Sequence, residues 1–182
     1  QDGIQLLGAT SVFNNNGQVK IGVAGPVNRM GIIMNSGSKL NNNLGALIEI
    51  NNVSTNDGIQ LATTSTVTNS GTINIGNISV VFRIGIFVSS ATFNNNASGI
   101  ITINNIASTL ANEGTAIRLQ TNSVFTNANS ILIGNIADIN RFGIVVSSTS
   151  TLTNQSTGTI SINRLSTQSA ISLLATSKIF NN

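Results

Sequence analysis

The stretch Asp57-Gly58-Ile59-Gln60-Leu61-Ala62-Thr63-Thr64-Ser65-Thr66-Val67-Thr68-Asn69-Ser70-Gly71-Thr72-Ile73-Asn74-Ile75 decides the fold. Ile59 and Leu61 are separated by one polar residue, and so are Ile73 and Ile75, a period of two that puts each pair on one face of a short strand. Val67 lies between them, two residues after Ser65 and two before Asn69. The same order returns along the chain. Its opening recurs at Gly3-Ile4, Gly31-Ile32, Gly58-Ile59, Gly85-Ile86, Ala116-Ile117, Gly143-Ile144 and Ala170-Ile171. Most of these steps are equal; the first is longer by a single position, and the step from Gly85 to Ala116 carries a short insertion. A fixed period of about 27 residues marks a solenoid, in which one unit cannot bury its apolar face alone and stacking supplies the core.

Three columns follow from aligning the units. The first holds Ile4/Leu6, Ile32/Met34, Ile59/Leu61, Ile86/Val88, Ile117/Leu119, Ile144/Val146 and Ile171/Leu173. The second holds Phe13, Leu40, Val67, Phe93, Phe125, Leu152 and Ile179. The third holds Val19/Ile21, Ile48/Ile50, Ile73/Ile75, Ile101/Ile103, Ile131/Ile133 and Ile160/Ile162. Three strands in each unit leave no space for helices, and no helical period appears. The expected fold is all-β: a right-handed parallel β-helix (β-solenoid) of about seven rungs, forming a single unit over residues 1–182.

Two residues beyond each second-column side chain stands an asparagine: Asn15, Asn42, Asn69, Asn95, Asn127, Asn154 and Asn181. An amide both donates and accepts, so asparagines one rung apart can form a ladder along the axis. Two residues before the second column lies a small residue: Ser11, Ser38, Ser65, Ala91, Ser123, Ser150 or Ser177. A weaker asparagine column is expected at Asn52, Asn77, Asn105 and Asn135, broken by Arg164. Columns this regular point to internal ladders and tight turns ahead of sugar or ice binding.

The rungs alternate. Asn15 to Val19, Asn69 to Ile73 and Asn127 to Ile131 are four residues apart, whereas Asn42 to Ile48, Asn95 to Ile101 and Asn154 to Ile160 are six. The repeating unit is therefore a pair of rungs, about 54 residues, twice the simple solenoid period. Asp2-Gly3-Ile4-Gln5 indeed returns as Asp57-Gly58-Ile59-Gln60. Arg29, Arg83 and Arg141 precede the alternate Gly-Ile starts and should form a row along one edge. Asp2, Asp57 and Glu113 fall in the intervening rungs, so the row reads as register-setting charge, with partner binding as the other reading. Lys20 and Glu49 are expected as a surface pair. The alternate rungs also place Ile33, Phe87 and Val145 outward, beside Met30, Ile84 and Phe142. This stripe is the candidate lateral interface, because contiguous exposed apolar surface marks a contact. Burial of the stripe under the exit loop is the equal alternative.

Composition narrows the chemistry. Hydrophobic residues make up 40% of the chain and charged residues 7%, and no apolar run reaches the length of a membrane-spanning helix. Eight basic residues are scattered without aromatic partners, which does not make a nucleic-acid footprint. With no His or Cys, triads, thiol nucleophiles and the common metal sites are unavailable, and no cofactor is expected. The acids Asp2, Glu49, Asp57, Glu113 and Asp138 are spread over five rungs, so an enzymatic role, such as polysaccharide cleavage, is not expected. The sequons at Asn52, Asn77, Asn96 and Asn154 are what chance gives in a chain this rich in Asn and Ser. Lys39, Lys178, Val12 and Val124 interrupt the outward Thr column and make ice binding the weaker alternative.

The Gly-Ile starts followed by Phe-x-x-Asn, as in Phe13 to Asn16 and Phe93 to Asn96, resemble bacterial secreted and cell-surface parallel β-helix repeat proteins, both autotransporter passengers and adhesins with β-strand repeats. The resemblance implies an extracellular or cell-surface location and an adhesive or fibre-forming role, and it transfers no functional residue. The expected role is a structural segment of an extracellular fibre or giant surface protein, either one stretch of a longer array or the protomer of a filament. Its partners would be further repeats or copies of itself, end to end or side by side. An adhesin that binds glycan or a surface protein is the alternative.

Overall fold

The computed structural model describes residues 1–108, 110 and 113–182, which form a parallel β-solenoid with no helix among the described residues. Three sheets run along the axis. The first stacks Ile4–Leu6, Ile32–Met34, Ile59–Ala62, Ile84–Ser89, Thr115–Gln120, Phe142–Val146 and Ile171–Leu173. The second stacks Val12–Asn15, Lys39–Asn42, Thr66–Asn69, Thr92–Asn95, Val124–Asn127, Thr151–Asn154 and Lys178–Asn181. The third stacks Gln18–Ile21, Leu47–Ile50, Thr72–Ile75, Ile100–Ile103, Ser130–Ile133 and Thr159–Ile162. Six full coils are thus followed by two sides of a seventh.

Each strand pairs in parallel with its equivalent one coil away, and the register keeps like on like. Ile32 lies between Ile4 and Ile59, and Ile101 between Ile73 and Ile131. The inward residues of the middle coils are fully buried, among them Ile32, Leu40, Ile48, Ile59, Ile73, Phe93 and Phe125. Burying an aliphatic or aromatic side chain of this size stabilises by about 1.5–3 kcal/mol, so the core is the main driving force. Phe93 and Phe125 stack with ring centroids 4.6 Å apart and parallel planes, the separation that the strand spacing of a sheet imposes.

A fourth, narrower column completes the cross-section. Val27, Val53, Val81, Ile106, Ile139 and Leu165 form successive parallel bridges between the third sheet and the next first-sheet strand. Its spacing carries the alternation of coils. The bridge residue follows the last apolar residue of the third strand (Ile21, Ile50, Ile75, Ile103, Ile133, Ile162) by 6, 3, 6, 3, 6 and 3 positions. The odd coils therefore bulge before the bridge, with their exposed apolar residues Val23, Ile78 and Ile136 on the bulges.

Glycine is required where those bulges begin. At Gly22, with φ +73°, a Cβ would lie 1.7 Å from the Asn51 carbonyl oxygen, and at Gly76, with φ +71°, 1.9 Å from that of Asn104. The even coils place the left-handed residue one position later, at Asn52 and Asn105. The corner between the first and second sheets uses left-handed residues that are not glycine, including Thr63, Thr64, Ser90, Thr121 and Asn122, each at a cost of roughly 1–2 kcal/mol. Hydrogen bonds between coils, such as Thr64 N–H to Ser90 O (2.6 Å) and Asn122 N–H to Ser148 O (3.0 Å), offset it.

Candidate functional site

The asparagine column forms a continuous ladder. Nδ2 of Asn15, Asn42, Asn69, Asn95, Asn127 and Asn154 each donates to Oδ1 of the asparagine one coil on, ending at Asn181, over 2.7–2.8 Å. The second hydrogen of each amide goes to a backbone carbonyl at the turn into the third sheet, for example Asn15 to Leu47 O and Asn154 to Gly158 O, both 2.9 Å. All the dipoles therefore point one way along the axis. The serine column stands at the opposite end of the second-sheet strands, where the Ser38 and Ser65 hydroxyls are 3.3 Å apart and both buried.

The weaker asparagine column is corrected by the structure. Asn52, Asn77, Asn105 and Asn135 do not stack on one another, because the left-handed residue shifts by one position between coil types. Asn104 Nδ2 donates instead to Asn77 Oδ1 (2.7 Å), and Asn163 Nδ2 to Asn135 Oδ1 (3.4 Å). The buried Asn51 and Asn104 brace the bulges: Asn51 Oδ1 accepts from the Ile78 amide, and Asn104 Oδ1 from the Ile136 amide, each at 2.9 Å. Surface asparagines add links the pattern did not reveal, such as Asn41 Nδ2 to Asn14 Oδ1 (2.8 Å).

Of the two readings of the apolar stripe, the structure favours burial. Met30, Ile84, Phe87 and Val145 are buried, while Ile33 and Phe142 are half-buried. Phe87 lies in register between Gln60 and Arg118, and Val145 between Arg118 and Ser172, so polar side chains of the odd coils flank the apolar ones of the even coils. The stripe is not an open apolar patch. Glu49 departs from expectation too: although in register with Lys20, its Oε1 accepts from Asn51 Nδ2 at 3.3 Å.

The arginine row is where charge concentrates. Arg29, Arg83 and Arg141 occupy one backbone column with Gln1, Asn56 and Gly114 between them, as the hydrogen bonds Arg29 N–H to Gln1 O, Arg83 N–H to Asn56 O and Arg141 N–H to Gly114 O show. Arg29 grips Asp2 through two nitrogens, and the same carboxylate accepts from the Met30 amide at 3.1 Å and from Gln5. With Arg29 as the largest cause, the Asp2 carboxyl is held down at about 2. Arg141 pairs with no carboxylate among the described residues; it reaches Leu110 O at 3.4 Å and lies over the Phe142 ring.

Arg83 is shared. Its Nε lies 3.2 Å from Asp57 Oδ1 and 3.4 Å from Glu113 Oε1, and its Nη1 donates to Asn56 Oδ1 at 2.8 Å. The Asp57 side chain has no exposed surface, and among the described residues none gives either of its oxygens an aligned hydrogen bond. Burial pushes its proton affinity up to about 7; Arg83, the nearby Ile84 amide and Arg118 pull the other way, and the charge of Glu113 adds to the rise. Gln60 Oε1 and Thr115 Oγ1 are likewise buried at this edge without a hydrogen-bond partner among the described residues.

The insertion that lengthens the step from Gly85 to Ala116 supplies Glu113. Ser108, ahead of Glu113 in the same longer step, helps line an open cleft of about 350 Å³ with Phe82, Asn105, Asp138, Asn140 and Ser166 among others. Ser108 belongs to both places, since its hydroxyl donates to Glu113 Oε2 at 3.1 Å. No helix among the described residues is long and apolar enough to cross a membrane. Comparison with protein-family models, with curated proteins and with solved structures gives no match.

Proposed function

We propose that the chain is a structural segment of an extracellular fibre or giant cell-surface protein, working as a stiff rod built from stacked coils. The observation that supports this most is the ladder from Asn15 to Asn181, six side-chain hydrogen bonds of one polarity beside a continuous apolar core. The ladder and the inward apolar columns recur in every coil and the remaining features in every pair of coils, so length can be added by repeating the two-coil unit. Stretching such a rod along its axis must break backbone pairs and amide links coil by coil. Force spectroscopy on a concatemer tests this. The expected trace is a series of small, regular extensions of about one or two coils each. Unfolding in one step at low force would remove the mechanical reading.

A second reading, an adhesin that binds glycan, is favoured by the cleft at Phe82. An aromatic face beside amides and the Asp138 carboxylate, on a backbone fixed by the bridge column, is the kind of surface that stacks on a sugar ring and holds its hydroxyls. Glycan-array binding lost in Phe82→Ala and Asp138→Asn would move the assignment to this reading; no binding leaves the structural one.

A further inference from the structure

Arg83 stands between two carboxylates with one guanidinium to offer. Asp57 approaches it from the preceding coil, and Glu113 from the inserted segment of the next. We propose that Asp57, Arg83 and Glu113 form a proton-controlled clamp: when Asp57 takes a proton from solvent, Arg83 passes wholly to Glu113 and fastens the insertion to the coil below.

The geometry supports each part. Asp57 is fully buried, and its nearest cation meets it without hydrogen-bond alignment, so its charged form is poorly compensated. The charged groups facing it are Arg83, Glu113 and, from the strand Thr115–Gln120, Arg118; Gln60 and Thr115 complete the surroundings as neutral groups. Burial and the Glu113 charge both favour the protonated form, which places the exchange near neutral pH. With Asp57 neutral, Glu113 is the one carboxylate among the described residues still paired with the guanidinium, beside the Asn56 amide oxygen. With Asp57 ionised, the cation is divided and each carboxylate is held less firmly.

Glu113 transmits the difference. It accepts from the Ser108 hydroxyl, which in turn accepts from the Leu110 amide at 3.1 Å, and the adjacent Gly114 amide donates to Arg83 O at 2.8 Å. These bonds tie the insertion to the arginine, and Ser108 to the wall of the cleft. The clamp is independent of whether the cleft takes a glycan.

Two measurements test it. The first is titration of the Asp57 side-chain carbon by NMR, with a midpoint near 7 expected and a fall in that midpoint in Glu113→Gln. The second is amide hydrogen exchange at Leu110 and Gly114, corrected for intrinsic rates. Protection should drop roughly fivefold or more between pH 5.5 and 8.5, the low end of a typical site-to-site coupling. In Asp57→Asn, whose side chain stays neutral, protection should remain high at both values. An Asp57 midpoint near 4 overturns the proposal, and so does a pH step in protection that persists in Asp57→Asn. If Asp57→Asn does not fold, the two measurements on the unaltered protein decide.

Discussion

Asp2 and Asp57 open the same four residues, Asp-Gly-Ile-Gln, and each meets an arginine one coil on, yet one carboxyl is held at about 2 and the other pushed up to about 7. Neither side chain exposes surface, so contact with water alone does not separate them. Two other things do. Asp2 lies shallow at the rim and receives aligned hydrogen bonds from Arg29, Met30 and Gln5. Asp57 lies deep between coils, receives none, and shares its arginine with Glu113. A repeated motif thus fixes which groups meet, while depth and alignment fix what charge they carry.

The largest effect that would test this contrast is removal of the arginines. Arg83→Met should cost about 3–5 kcal/mol at pH 8, because it strands a buried anion, and noticeably less at pH 5.5, where Asp57 is neutral. Arg29→Met should cost much less at neutral pH, because the Arg29 side chain is half exposed and its pairing with Asp2 is screened by solvent. Urea-denaturation midpoints at the two pH values read both. Equal losses would break the comparison.

The pH dependence of stability comes next, and the two aspartates give it opposite signs. Asp57 binds its proton more tightly folded than unfolded, so its contribution declines as pH rises from about 4 to about 7 and is level above that. Asp2 binds its proton less tightly folded, so its contribution is present above about 4 and is lost as pH falls toward 2. Melting temperatures of Asp57→Asn should match the unaltered protein at pH 4 and exceed it at pH 8. Asp2→Asn should be the weaker change: a loss of up to about 1 kcal/mol at pH 7 that vanishes near pH 2. A common slope in both variants would show that depth does not separate the two sites. Smallest is Glu113→Gln, which should leave neutral-pH stability within about 1 kcal/mol while lowering the Asp57 midpoint in an NMR titration.

Much of the fold was legible because a solenoid repeats its side chains at fixed positions. The period-two pairs gave the three sheets in the register observed, and the asparagine after Val67 and its equivalents gave the ladder. The fourth column was readable in principle, since one apolar residue follows the third strand by 6 or 3 positions in turn, but a single bridged residue carries no alternation to betray it. Asn52 and Asn77 misled because equal position in a list is not equal position in space once a left-handed residue shifts the turn. The Phe87 stripe stayed open between two readings for a related reason: alternation shows that a residue leaves the core, not how far its neighbours Gln60 and Arg118 cover it.

By itself, the order of residues determined the coil length, the pairing of like with like, the amide column and the two-coil alternation, because these are properties of a repeat read along one dimension. Only the stacked structure decided that the apolar stripe is closed, that the second asparagine column is crossed, and that Arg83 serves two carboxylates. Those outcomes depend on groups from several coils and from the insertion meeting at one depth. Protonation and burial are set by such neighbours, which the chain brings together only by winding.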